Sequence, residues 1–121
     1  MSTNFTQEGA SLTWTNGSGA TVTAGSVVVI GQQIGIAATD IADGAAGTVY
    51  MEGVFTVPKV TTAVIAQGES VIWDASAEAF EDSAATPATG DVSGCCIAWA
   101  GAGNGVTSVP VKLNTGIGTI A

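Results

Sequence analysis

Two short apolar runs joined through a proline-marked connection limit this chain more than any other feature. In Gly53-Val54-Phe55-Thr56-Val57-Pro58-Lys59 the apolar side chains build a strand-like run. Pro58 must end that run or force it to a sheet edge, because proline has no N–H to give to a ladder. After a spacer, Gln67-Gly68-Glu69-Ser70-Val71-Ile72-Trp73-Asp74 starts again. Gly68 opens it, Val71, Ile72 and Trp73 supply β-branched and aromatic bulk, and Asp74 favours a turn.

The same alternation of short strand and turn recurs elsewhere. Ser11-Leu12-Thr13-Trp14-Thr15 places Leu12 and Trp14 on one face and hydroxyls on the other, a half-buried strand, and the Asn16-Gly17 step that follows is a hairpin signal. Val27 to Ile30, bounded by Gly25 and Gly31, is a continuous β-branched run of the kind expected for a central strand covered on both faces. Gln33 to Ala38 continues as a strand weakened by Gly35, and Asp43-Gly44-Ala45-Ala46-Gly47 breaks the chain before a strand over 48–52. The spacing predicts at most one short helical turn, over Val60 to Ala66. Residues 75–90, rich in Ala, Ser, Thr and acid, read as an exposed acidic loop with one weak strand near Phe80. Gly94 to Ala100 and Val106 to Leu113 read as a hairpin in which Pro110 argues for an edge strand. Residues 114–121 read as a loose tail on which Ile117 and Ile120 are free to dock on a neighbour.

A chain of 121 residues with 46% hydrophobic residues and 17 glycines fits a single domain over 1–121, all-β, a β-sandwich or β-tulip-like fold. At this size roughly two thirds of the unfolded surface is buried on folding. No internal repeat and no linker divides it.

Charge excludes whole classes of function. The chain holds two Lys or Arg residues, both lysines (Lys59 and Lys112), no histidine and ten carboxylates, for a net charge of −8. Nucleic acid binding depends on several Lys or Arg contacts to phosphate, which two separated lysines cannot supply. Anionic membranes are disfavoured for the same reason, and the apolar runs are far shorter than the ~20 residues that span a bilayer, so a soluble protein is expected. Met1 to Phe5 shows neither the basic nor the apolar region of a secretory signal, which predicts synthesis in the cytoplasm.

Catalytic and metal chemistry lacks its residues. Without histidine no nucleophile triad forms, and no motif supports a Ser-Lys or paired-carboxylate mechanism. Asp40-Ile41-Ala42-Asp43-Gly44 lacks the alternating ligands and late glutamate of a calcium loop and suits a turn. Glu78, Glu81 and Asp82 read as a solvated acidic loop. Cys95 and Cys96 are vicinal, an unfavourable geometry for a mutual disulfide, and are expected as reduced, packed thiols. No cofactor and no metal is expected.

The Gly53 to Lys59 and Gly68 to Asp74 segments together resemble the small cement or head-decoration proteins of tailed phages, a family once catalogued as a domain of unknown function. The resemblance extends to Asn4-Phe5-Thr6-Gln7-Glu8-Gly9, Thr23 to Val29, Ile34 to Ala37 with Asp40, Ile97-Ala98-Trp99-Ala100 and Val109-Pro110-Val111-Lys112-Leu113. Its motif residues here are Gly53, Phe55, Pro58, Lys59, Gly68, Trp73 and Asp74. Relatives have been labelled phage recombinases, but a phosphate loop needs G-x-x-x-x-G-K-[ST]; here no glycine directly precedes Lys59, and Val60 stands where the metal-binding hydroxyl belongs.

The resemblance implies a structural virion protein and not an enzyme. It would bind the outer surface of the phage head, with the major capsid protein as partner and a homotrimer as its state on the capsid. Asn4, Phe5, Thr6, Gln7 and Glu8 would form an extended N-terminal arm (1–9) able to add a strand to the capsid protein. A lone aromatic such as Phe5 can anchor an arm or simply pack. Trp73 and Trp99 sit in apolar runs and are expected in the core. The alternative reading is a carbohydrate- or host-surface-binding β-sandwich with Trp14, Trp99 or Tyr50 as an exposed stacking platform.

Overall fold

The computed structural model describes Asn4 and residues 6–121. The described residues form strands and turns with no helix: β1 Ser11–Thr15, β2 Val27–Ile30, β3 Gln33–Ala37, β4 Ala46–Tyr50, β5 Val54–Pro58, β6 Ser70–Asp74, β7 Ala79–Glu81, β8 Val92–Ala98, β9 Ser108–Lys112 and β10 Thr119–Ile120. They make an antiparallel four-stranded sheet in the order β1-β4-β3-β2 and a six-stranded sheet in the order β5-β9-β8-β6-β7, with β10 on β8. The all-β sandwich expected from the sequence is the fold observed.

Between the sheets the chain turns at 51–53, where Gly53 has φ 117°, a conformation that favours glycine. The larger core fills the six-stranded sheet with Val57, Val71, Trp73, Phe80, Val109 and Val111, and β3 contributes Ile34 and Ile36 from the other sheet. A smaller cluster of Val28, Ala37, Ile41 and Val49 lies within the four-stranded sheet, with Leu12 and Trp14 packed against it. Trp73 and Phe80 meet edge to face at 5.1 Å in the larger core. The six-stranded sheet curls on itself, because Lys59 forms a parallel bridge with Phe80 and Val60 N–H donates to the Phe80 carbonyl at 3.0 Å.

Several expectations are corrected. β2 is an edge strand with Val29 37% exposed, not a central one. β9 is interior, not an edge. Pro110 is tolerated there because its carbonyl accepts from Trp99 N–H, the first residue past β8. A strand residue aims N–H and C=O to the same side, so the missing N–H falls where the partner strand has ended. Asn16-Gly17 does not close a hairpin, since β1 pairs with β4. Asn16 is fully buried and donates to the Ala20 and Ile41 carbonyls, which shapes the loop instead.

No helical turn forms over 60–66. The Lys59 side chain, 3% exposed, runs inward and donates to the carbonyls of Val60 (2.7 Å), Thr61 (3.3 Å) and Ala63. These carbonyls converge on one ammonium rather than entering a helical ladder. Residues 114–121, read as a loose tail, are tied down. β10 pairs with Val92 and Ser93, and Ala121 N–H donates to Asp91 O while its carbonyl accepts from Gly90. The weak strand anticipated near Phe80 is β7.

Cys95 and Cys96 are free thiols, each 1% exposed, and both join the larger core. Strict alternation would have sent them to opposite faces. The β6–β8 register slips between Val71↔Cys96 and Trp73↔Val92, and Gly94 in the slipped stretch has φ 77°, so a bulge re-aims the pair. The hydrogen bond with Cys95, together with burial, pushes the Cys96 thiol above its ordinary value.

Candidate docking face

The outer face of the six-stranded sheet is built by simple alternation. Along β5 and β9, Phe55, Val57, Val109 and Val111 point inward, while Val54, Thr56, Pro58, Ser108, Pro110 and Lys112 point out. Register then sets the outer rows: Val54 lies opposite Lys112, which lies opposite Ile97, which lies opposite Ser70. Thr56 lies opposite Pro110, which bonds to Trp99. Trp99 is 50% exposed, so its expected place in the core is corrected: β8 ends at Ala98, and the next side chain falls on the outer face. Lys112 Nζ stands 5.3 Å from the centre of the Trp99 ring. Gln67, Gly68, Ile97 and Ala98 with Trp99 line a shallow hollow of ≈ 260 Å³ beside it.

This face has its own electrostatics. None of the ten carboxylates of the chain lies within β5, β8 or β9. Because Lys59 is buried, Lys112 is the one exposed lysine of the chain. Asp74, Glu81, Asp82 and Asp91 lie at the far end of β6 and beyond, where Asp74, Asp82 and Asp91 act on Glu81. Burial, then Asp74, Asp82 and Asp91, push the Glu81 carboxyl up. Hydrogen bonds from the Ser76 hydroxyl and the Ala77 N–H hold the Asp74 carboxyl down. Bonds from Ala66 N–H and Ser83 do the same for Glu69.

A family model described as phage cement protein matches residues 6–113 of this 121-residue chain. The chain belongs to the phage cement protein family. No curated protein and no solved structure matches it. A phage structural, capsid-associated role follows from membership.

The motif residues of this cement-family chain divide between scaffold and face. Lys59 and Trp73 are buried, Phe55 is half-buried and stacks on Tyr50 at 5.9 Å, and Gly53, with its positive φ, makes the corner into β5. Asp74 caps the β6–β7 turn by accepting from Ser76 and Ala77. Pro58 ends β5 on the outer face, and Gly68, with φ 83°, borders the hollow beside Trp99. Of the expected arm, Asn4, Thr6, Gln7 and Glu8 are exposed, and Gln7 Nε2 donates to Ser11 O at 2.7 Å; Phe5 lies outside the described residues. The rings of the alternative platform are engaged separately: Trp14 with the smaller cluster, Tyr50 with Phe55, and Trp99 with Lys112. The alternation of Ser108, Pro110 and Lys112 puts Lys112 on one strand face in the sequence, but its place beside Trp99 follows only from the pairing of β8 with β9.

Proposed function

We propose that this protein binds the outer surface of an assembled phage head and stabilises contacts between major capsid protein subunits. The family match over residues 6–113 carries the reading. The exposed Trp99–Lys112 pair beside strands β5, β8 and β9, which hold no carboxylate, supports it, since a half-exposed aromatic beside a cation suits an interface centre. The role is structural, not enzymatic, and it is carried out on the virion after synthesis in the host cytoplasm. Residues Asn4 to Glu8 act as an arm that engages a neighbour. A homotrimer fits such a task, because a molecule held at several points gains avidity from effective concentration, and each contact then needs no more than the low end of ordinary interfaces, roughly 1,200 Å².

The test is co-sedimentation with undecorated heads at low and high salt, followed by heating of the decorated heads. Saturable binding with raised heat resistance is expected; heads that pellet without the protein would overturn the reading.

A further inference from the structure

Trp99 is held by its backbone while half of its surface stays open. Its N–H donates to Pro110 O at 2.8 Å, and its carbonyl accepts from Gln67 Nε2 at 3.3 Å. One residue back, Ala98 N–H donates to Glu69 O (2.9 Å) and Ala98 O accepts from Gly68 N–H (2.8 Å). The floor of the hollow beside the ring is thus tied down before any partner arrives, which lowers the ordering cost of binding. Gly68 leaves that floor bare: it has φ 83° and no side chain, and a Cβ built on it would meet nothing within 4 Å. At ≈ 260 Å³ the hollow falls below the roughly 300–1,000 Å³ of small-molecule sites and suits a single apolar side chain set against Ile97 and Trp99.

A cation stands beside this hollow. Lys112 Nζ lies 5.3 Å from the ring centre, so the ring that walls the hollow also steadies the ammonium. Ile97 on β8 and Val54 on β5 lie opposite Lys112, and Pro110 shares its face. Glu69, next in sequence to the hollow, has one carboxylate oxygen on Ala66 N–H and the other on Ser83. A molecule with ten carboxylates therefore presents its one exposed lysine among apolar side chains, with Val54 43% and Trp99 50% exposed. A wholly apolar partner laid over this surface would bury an unpaired ammonium, which is costly, and a free anion would leave the apolar surface wet. An anion carried on an apolar surface satisfies both.

We propose that the hollow and Lys112 form one two-point socket for the head: an apolar side chain of the capsid subunit seats against Trp99, and an Asp or Glu close to it in that subunit pairs with the Lys112 ammonium. This inference rests on the proposed function and specifies what the capsid subunit must present. The anchor supplies affinity, and the ion pair fixes which way the segment lies.

The experiment treats decorated heads with a water-soluble carbodiimide, which joins an amine to a carboxylate it touches, and maps the products by mass spectrometry. Lys112 is expected to be linked to an Asp or Glu of the capsid subunit that has an apolar residue within about two positions, since side chains two apart share a strand face. Isotherms on undecorated heads accompany it. Lys112→Gln should bind about tenfold more weakly than the parent at low salt, and the gap should narrow as salt rises. Ile97→Ala, which strips a wall of the hollow, should weaken binding about fivefold at low and high salt alike. Gln67→Phe, which crowds the hollow from its rim, stands in if Ile97→Ala fails to melt cooperatively. Binding without a Lys112 cross-link, a Lys112→Gln deficit that salt leaves unchanged, or a hollow variant that binds like the parent would overturn the socket and leave the proposed function standing. A Lys112 link to a second copy of this chain would also overturn it, and would make this face a contact between copies. Heads that pellet without the protein overturn the proposed function and this inference together.

Discussion

Asn114 grips Ile34 with both ends of its amide: Oδ1 accepts from the Ile34 N–H at 3.0 Å, and Nδ2 donates to the Ile34 carbonyl at 2.8 Å. The same side chain donates to Met51 O at 2.7 Å and accepts from Cys95 Sγ at 3.0 Å. Ile34 belongs to the four-stranded sheet, Cys95 to the six-stranded one, and Asn114 follows β9 with φ 56°. One amide thus joins the two sheets with its hydrogen-bonding capacity filled.

Asn114→Ala should therefore cost about 2–4 kcal/mol, from buried partners left unpaired and a positive φ imposed on alanine. Asn114→Gly, which accepts that φ, should cost about 1 kcal/mol less. Urea denaturation of the three proteins checks both; equal losses would show that the backbone conformation contributes nothing.

Lys59→Met keeps much of the side-chain volume but removes the ammonium on which Val60, Thr61 and Ala63 converge. A loss of about 2–4 kcal/mol is expected, because these carbonyls lose their shared donor. Hydrogen exchange should quicken at Ala63 and Ile65, whose N–H groups bond to Val60 and Ala102, while Val49 in the other sheet is unchanged.

Trp99→Ala and Lys112→Glu should leave the melting temperature almost unchanged, since both side chains are on the surface. On the proposed reading each weakens binding to heads by about tenfold or more, the scale of an interface hot spot. Binding isotherms on undecorated heads read this directly, and full occupancy by both variants would move the docking surface elsewhere.

The strands legible in the sequence were those with alternation or a proline stop, such as β1 and β5, because side-chain period and a missing N–H act locally. Trp99 and β2 were misread for a shared reason. Apolar content alone does not reveal which strand lies at an edge or which residue falls just past a strand's end; pairing decides both. Lys59 was legible as a motif residue but not as a buried one, since its burial depends on the carbonyls of a loop that it helps to shape. The vicinal cysteines share the core through a bulge set by Gly94, a departure from alternation that no local pattern signals.

Acid should separate two carboxylates. Glu69 is held below the usual range by the Ala66 N–H and by Ser83, so its contribution is present above the unfolded value of about 4.3 and is lost as pH falls through the lowered folded value. Glu81 is raised by burial and by Asp74, Asp82 and Asp91, so the opposite holds: its contribution is full in acid and is lost as pH rises through the raised value. Glu69→Gln should thus be less stable than the parent near neutrality, and Glu81→Gln more stable, each by about a few tenths of a kcal/mol on a surface open to solvent. Both differences should shrink on acidification. Melting curves from neutral to acid pH check the signs, and a Glu81→Gln difference that grows in acid would contradict the assignment.

The separation of Lys112 from the acidic end of β6 gives the molecule a lopsided field. Ser70 lies in the Lys112 row, and Asp74 stands at the other end of the same strand. An approaching protein therefore arrives already rotated: the crowded negative end is turned away from any negative surface, and the Trp99 face leads. Orientation is set before contact, and because the molecule as a whole carries −8, added salt should ease its arrival at a negative surface while blurring that orientation.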